Sequence, residues 1–175
     1  MLVRPALVRD IAPVLVRPFG DQDVAPACEL TNHFIVNTAV HFGTQPLDHA
    51  QFADLWLTGR DRYPWLAAEI RGHFAGYAKA SAWRTREAYA LTAEVTVYVA
   101  LDAHRQGVGR ALYARLIADL RRAGFHTAVA GIALPNPGST GLHESMGFAH
   151  IGTFRQAGRK FDQWHDTSWW QLMLS

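Results

Sequence analysis

A mixed α/β domain is the fold class the sequence predicts, on three observations. Two apolar segments, Trp65–Ile70 and 74–83, flank Arg71-Gly72 and read as a hairpin. Residues 91–100 alternate: Val95, Val97 and Val99 share one face, and Glu94, Thr96 and Tyr98 share the other, as side chains of a strand must. Residues 107–123 carry Leu112, Leu116, Leu120 and Ala123 on one helical stripe, stop at Gly124, and lead into an apolar strand over 127–134. Hairpin first, then strand, helix and strand, is the order of a layered α/β domain.

The remaining elements follow the same rules. Val14–Pro18 reads as a short strand. Asp21 or Asp23 is placed to cap a helix over 25–37, in which Leu30, Phe34 and Asn37 follow helical spacing. A turn-like stretch over 41–47 leads to a second helix, 50–59, closed by Gly59. After the 127–134 strand, 139–146 forms a short helix closed by Gly147, and 149–154 and 167–174 form the last strands. Residues 1–13 mix Arg4, Arg9 and Asp10 with Leu, Val and Pro and read as an N-terminal extension; 14–175 read as one domain, which a chain of 175 residues suits.

Composition narrows the function classes. Hydrophobic residues make up 49% and charged residues 18%, the balance of a chain that buries a core. The net charge of +2 rests mainly on scattered arginines, with Lys79 and Lys160 the only lysines, so no basic tract points to nucleic acid or an anionic membrane. No apolar run approaches the ~20 residues of a membrane span, and the N-terminus lacks the pattern of a signal peptide. Cys28 is the single cysteine, which excludes a disulfide within the chain and fits a reducing cytoplasm. The pairs His41/His49 and His104/His126 have no metal-ligand spacing, so no metal is expected.

The densest chemistry lies in His104-Arg105-Gln106-Gly107-Val108-Gly109-Arg110-Ala111, between a strand and a helix. Gly107 and Gly109 let a ligand approach the backbone closely. The first N–H groups of the helix lack internal partners and, with the helix dipole, favour an anion. Arg105 and Arg110 add positive charge. The bare spacing fits either an anion site or a plain glycine turn ahead of a helix. A dinucleotide loop is excluded because Leu112 stands where the third glycine belongs, and no Gly-Lys-Ser/Thr occurs.

Gln106 to Ala111 resembles the Q/R-x-x-G-x-G/A signature of the GNAT acetyltransferase superfamily. The flanks are similar to its phosphinothricin and methionine sulfoximine N-acetyltransferase branch: Tyr63-Pro64-Trp65-Leu66, Gly76-Tyr77-Ala78, Glu94 with Thr96-Val97-Tyr98-Val99, Leu134-Pro135-Asn136, Leu142-His143-Glu144, Lys160-Phe161, Trp164, Asp166 and Trp169-Trp170-Gln171. The resemblance spans about residues 16 to 174. It implies the GNAT fold, a curved mixed β-sheet flanked by helices, whose central strands (here 91–100 and 127–134) splay apart, with a bulge in one. It implies acetyl-CoA as co-substrate, held by Arg105, Gln106, Gly107, Val108, Gly109 and Arg110 at the pyrophosphate. Val97, Val99 and Asn136 would hold the pantetheine arm, with Ser139 near it. Tyr98 either shapes the acetyl site or packs across the strands. It also implies a homodimer.

Acetylating an amine requires removing its proton, polarising the thioester and stabilising the departing thiolate. Position alone leaves Glu94 a strand-end carboxylate; the resemblance makes it the general base. His143 is either a proton donor to the thiolate, a residue that orients substrate, or a packed histidine. The resemblance puts Phe42, Lys79, Arg84, Arg86 and Thr96 around a small amino-acid-like acceptor, where arginine's planar fork suits anionic groups. Four positions depart from the branch: Lys79 stands for tyrosine, His41 for asparagine, Gly131 for valine and Val95 for serine. A fifth, Asp162, stands for the glycine after Phe161. The pocket's charge and volume therefore differ, and the expected acceptor extends to another small amine or amino acid. A protein N-terminus, a polyamine, or a non-catalytic acetyl-CoA-binding module are the other readings.

Overall fold

The computed structural model describes residues 12–174. The extension expected over 1–13 lies outside the described residues except for Ala12 and Pro13. The elements in chain order are β1 (Val14–Pro18), α1 (Asp21–Asn37), α2 (His49–Gly59), β2 (Trp65–Ile70), β3 (His73–Ala82), β4 (Thr92–Val99), α3 (Val108–Arg122), β5 (Thr127–Ala133), α4 (Pro137–Ser145), β6 (Ala149–Lys160) and β7 (Gln163–Met173). The strands form one sheet in the order β1-β2-β3-β4-β5-β7-β6. Every pairing is antiparallel except β4 with β5. No helix among the described residues is long and apolar enough to cross a membrane.

The sheet is covered on both faces. Leu112, Leu116 and Leu120 of α3 are fully buried and pack with Val95 and Ala128, as the helical stripe predicts. Tyr113 and Ile117 join them, but Ala123 is the exposed cap residue after the helix rather than its last buried position. On the opposite face α1 and α2 close over Phe19, Phe52, Trp56, Trp65 and Tyr77. Trp65 stacks on Tyr77 with ring centroids 6.0 Å apart.

Helix α1 begins at Asp21, four residues before the expected 25. Asp21 and Asp23 lie inside its first turn, where negative charge suits the helix dipole, and Gly20 is the N-cap. Asp23 accepts the Gly20 N–H at 2.9 Å and is gripped by Arg17 at 2.6 and 2.8 Å. The buried face is Ala27, Cys28, Thr31 and Ile35, one position round from the expected Leu30–Phe34 stripe. Phe34 instead meets Tyr98 at 5.2 Å.

The last two strands are longer than expected. Strand β6 runs to Lys160 and β7 starts at Gln163, so 155–166 forms the outer part of a hairpin. Strand β6 is an edge strand exposed along most of its length, so it carries no alternating apolar pattern to read. Its register also shifts twice, near Ile151 and between Phe154 and Gly158. The turn residues Phe161 and Asp162 both have positive φ, 50° and 58°, which explains why glycine would serve at Asp162. The hairpin tip is tied to α1: Lys160 Nζ donates to the carbonyls of Ile35 at 2.6 Å and His41 at 2.5 Å.

Candidate active site

Strands β4 and β5 pair only from Thr92 opposite Thr127 to Glu94 opposite Val129. Beyond that point β4 stays on β3 and β5 turns to β7. The sheet therefore opens as the resemblance predicts, but not through a bulge on the β3–β4 side. That ladder is continuous from Gly76 opposite Val99 to Ala82 opposite Ala93. Loss of pairing alone makes the gap. It leads into a cleft of about 720 Å³ between β4, the start of α3, β5 and α4.

The loop before α3 forms one wall. Arg105 and Gly107 both have positive φ, 61° and 83°. For arginine that conformation is strained, and such strain gathers at functional sites. The Ala111 N–H makes the first bond of the helix, to Gly107 O at 2.9 Å. The N–H groups of Val108, Gly109 and Arg110 are left without partners on their own helix, at its positive end. A Cβ on Gly109 would stand 3.1 Å from Leu142 and 3.6 Å from Val99, so glycine lets three elements meet at the cleft. Arg105, Gly107, Val108, Gly109 and Arg110 line the cleft. Gln106 does not: its amide donates to Asp102 O at 2.8 Å and braces the loop from behind.

Thr96, Val97, Tyr98 and Val99 line the cleft from β4, and Asn136 and Ser139 from the start of α4. Asn136 caps α4 by accepting the Ser139 N–H at 3.1 Å. His104, to which the sequence assigns no role, donates from Nε2 to Val99 O at 3.1 Å. Only the close approach of loop to strand reveals this contact.

Glu94 lies at the last paired position of β4, beside the gap but outside the cleft lining. Burial pushes its carboxyl above the ordinary carboxylate range, and Lys79 and then Arg84 pull it back. Lys79 is opposite Thr96 across the β3–β4 ladder, with its ammonium 4.8 Å from the centre of the Trp65 ring. Burial lowers the Lys79 pKa, and the charge of Glu94 opposes that shift. Arg84 lies 4.9 Å over Trp83. Arg86 is exposed before the short Glu87–Tyr89 turn. Phe42 is packed against Gly158 and lies 6.2 Å from His165, under the β6–β7 hairpin and away from the cleft. A Cβ on Gly131 would meet the Trp169 ring at 3.2 Å, so the indole occupies the space of the usual side chain.

Neighbouring His41 accepts the Gly43 N–H on Nδ1 at 2.8 Å, which leaves Nε2 as its donor. Burial, Lys160 and Lys79 hold it below the ordinary histidine range. His143 is 2% exposed and lines the cleft. Its Nδ1 is 2.8 Å from Ser139 O and its Nε2 is 3.0 Å from the Tyr113 hydroxyl. Both nitrogens are engaged, so His143 has no free N–H to give a thiolate directly. Tyr113 also escaped the sequence reading, because it falls beside the leucine stripe; its spacing from Gly109, one helical turn, is the signal that puts it on the cleft side.

Known proteins share this architecture. The family model for the acetyltransferase (GNAT) domain matches residues 20–169. A phosphinothricin N-acetyltransferase of Streptomyces viridochromogenes is 43% identical over 159 residues, covering 91% of this chain and 87% of that protein. An L-methionine sulfoximine/L-methionine sulfone acetyltransferase of Salmonella typhimurium is 36% identical, covering 89% and 92%. The crystal structure of a GNAT superfamily phosphinothricin acetyltransferase from Sinorhizobium meliloti, in complex with acetyl-CoA, superposes with a TM-score of 0.89 at 30% identity, covering 93% of this chain and 89% of that one.

Proposed function

Since the chain belongs to the GNAT acetyltransferase family, we propose that it transfers the acetyl group of acetyl-CoA to the amine of a small amino acid of the phosphinothricin or methionine sulfoximine type, by direct attack with Glu94 as general base. The single observation that carries this reading is the gap between β4 and β5, which opens immediately after Glu94. The cleft holds three helix N–H groups without partners on their own helix, and the half-buried Glu94 carboxylate stands beside the gap where it opens.

The residues fit acetyl-CoA as donor substrate. The N–H groups of Val108, Gly109 and Arg110 suit a pyrophosphate, with Arg105 and Arg110 supplying charge. The unpaired edge of β4 at Val97 and Val99 suits the amides of a pantetheine arm, and Asn136 and Ser139 flank it from α4. His104 already donates to Val99 O, which keeps a second lone pair for the arm. When bound, acetyl-CoA supplies an acetyl thioester whose carbonyl carbon accepts a nucleophile. Glu94, raised by burial but held ionisable by Lys79 and Arg84, takes the proton of the incoming ammonium.

The acceptor follows from the cations. Lys79 and Arg84 face the carboxylate or anionic head of an amino-acid-like substrate. His41 keeps an N–H donor where the branch has an amide, so a hydrogen bond is conserved in kind. Trp169 over Gly131 reshapes the floor. These changes favour an acceptor other than phosphinothricin as the best substrate. The test is a thiol-release screen with acetyl-CoA across amino acids, their phosphinate and sulfoximine analogues, and polyamines. The expected result is turnover on an anionic amino acid or analogue, with Lys79→Tyr moving preference toward phosphinothricin by at least about tenfold, or 1.4 kcal/mol. Activity confined to polyamines would refute the acceptor class.

A further inference from the structure

Lys79 and Lys160 are the only lysines of the chain, and their surroundings set them apart. Lys160 is 5% exposed, and its ammonium donates to the backbone carbonyls of Ile35 and His41. Lys79 is half-buried. Its ammonium has no hydrogen bond or ion pair among the described residues and rests over the Trp65 ring, 4.8 Å from its centre, a weak tether for a cation. No fully buried side-chain nitrogen among the described residues lacks a partner, so the Lys79 ammonium meets solvent.

The ladder places Lys79 beside the reacting centre. It pairs with Thr96, which lines the cleft, and Ser81 pairs with Glu94 further along the same two strands. Lys79 and Glu94 are therefore diagonal neighbours on one face of the sheet, a spacing that long side chains bridge. Glu94 stands where the β4–β5 gap opens. His41, from the segment after α1, and Arg84, just after β3, complete the charged surroundings: Lys79 acts on His41, and both Lys79 and Arg84 act on Glu94. Burial lowers the Lys79 pKa and so raises its share of neutral amine, although the charge of Glu94 opposes that shift. An amine with no hydrogen bond to break thus lies one side-chain swing from the carboxylate that deprotonates the acceptor.

We propose that Lys79 is a modification site: with donor bound and no acceptor present, the chain acetylates its own Lys79 on Nζ. This inference rests on the acetyl-transfer reading and uses the same base. The Lys79 ammonium gives one proton to Glu94, which passes it to solvent. The neutral amine then attacks the acetyl carbonyl carbon. The C–N bond forms, the C–S bond breaks with its electron pair on sulfur, and the second nitrogen proton moves through solvent to sulfur. The products are an acetamide on Lys79 and the free thiol of CoA. The acetamide is uncharged, so the step removes one of the two cations that face an anionic acceptor and leaves Arg84. Self-acetylation therefore shifts the site away from anionic amino acids, and a bound acceptor, by occupying the place beside Glu94, prevents it.

The test is mass spectrometry of folded protein incubated with acetyl-CoA and no acceptor. Expected at the end is one acetyl group per chain, mapped to Lys79, with Lys160 unmodified. The rate constant should not change on dilution of the protein, as for a step within one molecule, and should fall by about 10²-fold in Glu94→Gln. Lys79→Arg keeps the positive charge and should gain no acetyl group. A saturating amino-acid acceptor should protect Lys79. In the modified protein the KM for an anionic acceptor should rise by about tenfold, with calorimetric affinity for acetyl-CoA within about twofold of that before modification. Unmodified Lys79, labelling that slows on dilution, labelling no faster than in heat-unfolded protein, or no protection by the acceptor would overturn the proposal. The failures separate: thiol release with an added acceptor but an unmodified Lys79 sinks self-acetylation alone, whereas no thiol release with any acceptor and an unmodified Lys79 sinks the transfer reading with it.

Discussion

Glu94→Gln is expected to lower turnover by about 10²–10⁴-fold while leaving acetyl-CoA affinity near that of the parent protein. The substitution keeps the size and hydrogen-bonding capacity of the side chain and removes only its basicity. Glu94 stands at the last paired position between β4 and β5, so the sheet's geometry does not depend on its charge. The pH profile carries a second signature. Burial raises the Glu94 pKa, and a base works only when ionised, so kcat/KM should rise with pH along a limb centred above the ~4.3 of an ordinary glutamate. The charged groups that act on it, Lys79 and Arg84, lower that value; Lys79→Met should therefore move the limb to higher pH. In Glu94→Gln the limb should vanish. Turnover within a few-fold of wild type, on the scale of ordinary base-catalysis losses, would refute the assignment.

Arg17→Met is expected to cost about 3–5 kcal/mol of stability. Arg17 joins β1, α1 and β2: its guanidinium donates two bonds to Asp23, at 2.6 and 2.8 Å, and two to Glu69, at 2.9 and 2.5 Å. The two carboxylates hold the guanidinium far above its ordinary pKa, against the opposing effect of its burial. Glu69 can turn to water when Arg17 is lost, but Asp23 is 2% exposed and would keep only the Gly20 N–H. The cost is that of a buried, uncompensated charge. Denaturant titration measures it directly, and thermal melting should shift by on the order of 10 °C. A loss below about 1 kcal/mol, typical of surface pairs, would mean that Asp23 finds water in the variant. The site is tied to this joint because α1 also supplies Phe34 to the cleft wall.

Elements that bury one face were readable from the sequence, and elements that bury none were not. The α3 stripe and the β4 alternation follow from period alone, but the expected split of β4 into a core face and a cleft face does not hold: Val97 and Val99 pack towards the α3 core, Tyr98 packs towards the core under α1 and α2, and all three line the cleft. The outer half of the β6–β7 hairpin escaped because its edge strand is exposed along most of its length and twice out of register. At the site, the loop before α3 was legible through its resemblance to the Q/R-x-x-G-x-G/A signature, since its spacing alone fits a plain glycine turn equally well. Gln106 was assigned to the ligand, yet its amide braces Asp102, a contact that only the folded turn creates. Tyr113 and His104 were missed for a related reason. Each acts through a partner distant in sequence or across a tight loop, His143 for one and Val99 for the other. Phe42 lies against Gly158 and His165 of the hairpin rather than at the cleft, a placement that only the folded hairpin creates.

The central claim is that the β4–β5 gap receives the donor and sets its acetyl group beside Glu94. A crystal structure of the chain with acetyl-CoA tests this most directly. The account predicts pyrophosphate oxygens within hydrogen-bond distance of the Val108, Gly109 and Arg110 N–H groups. It also predicts a pantetheine arm along Val97 and Val99. A cofactor bound outside the gap, or a thioester far from Glu94, would contradict it.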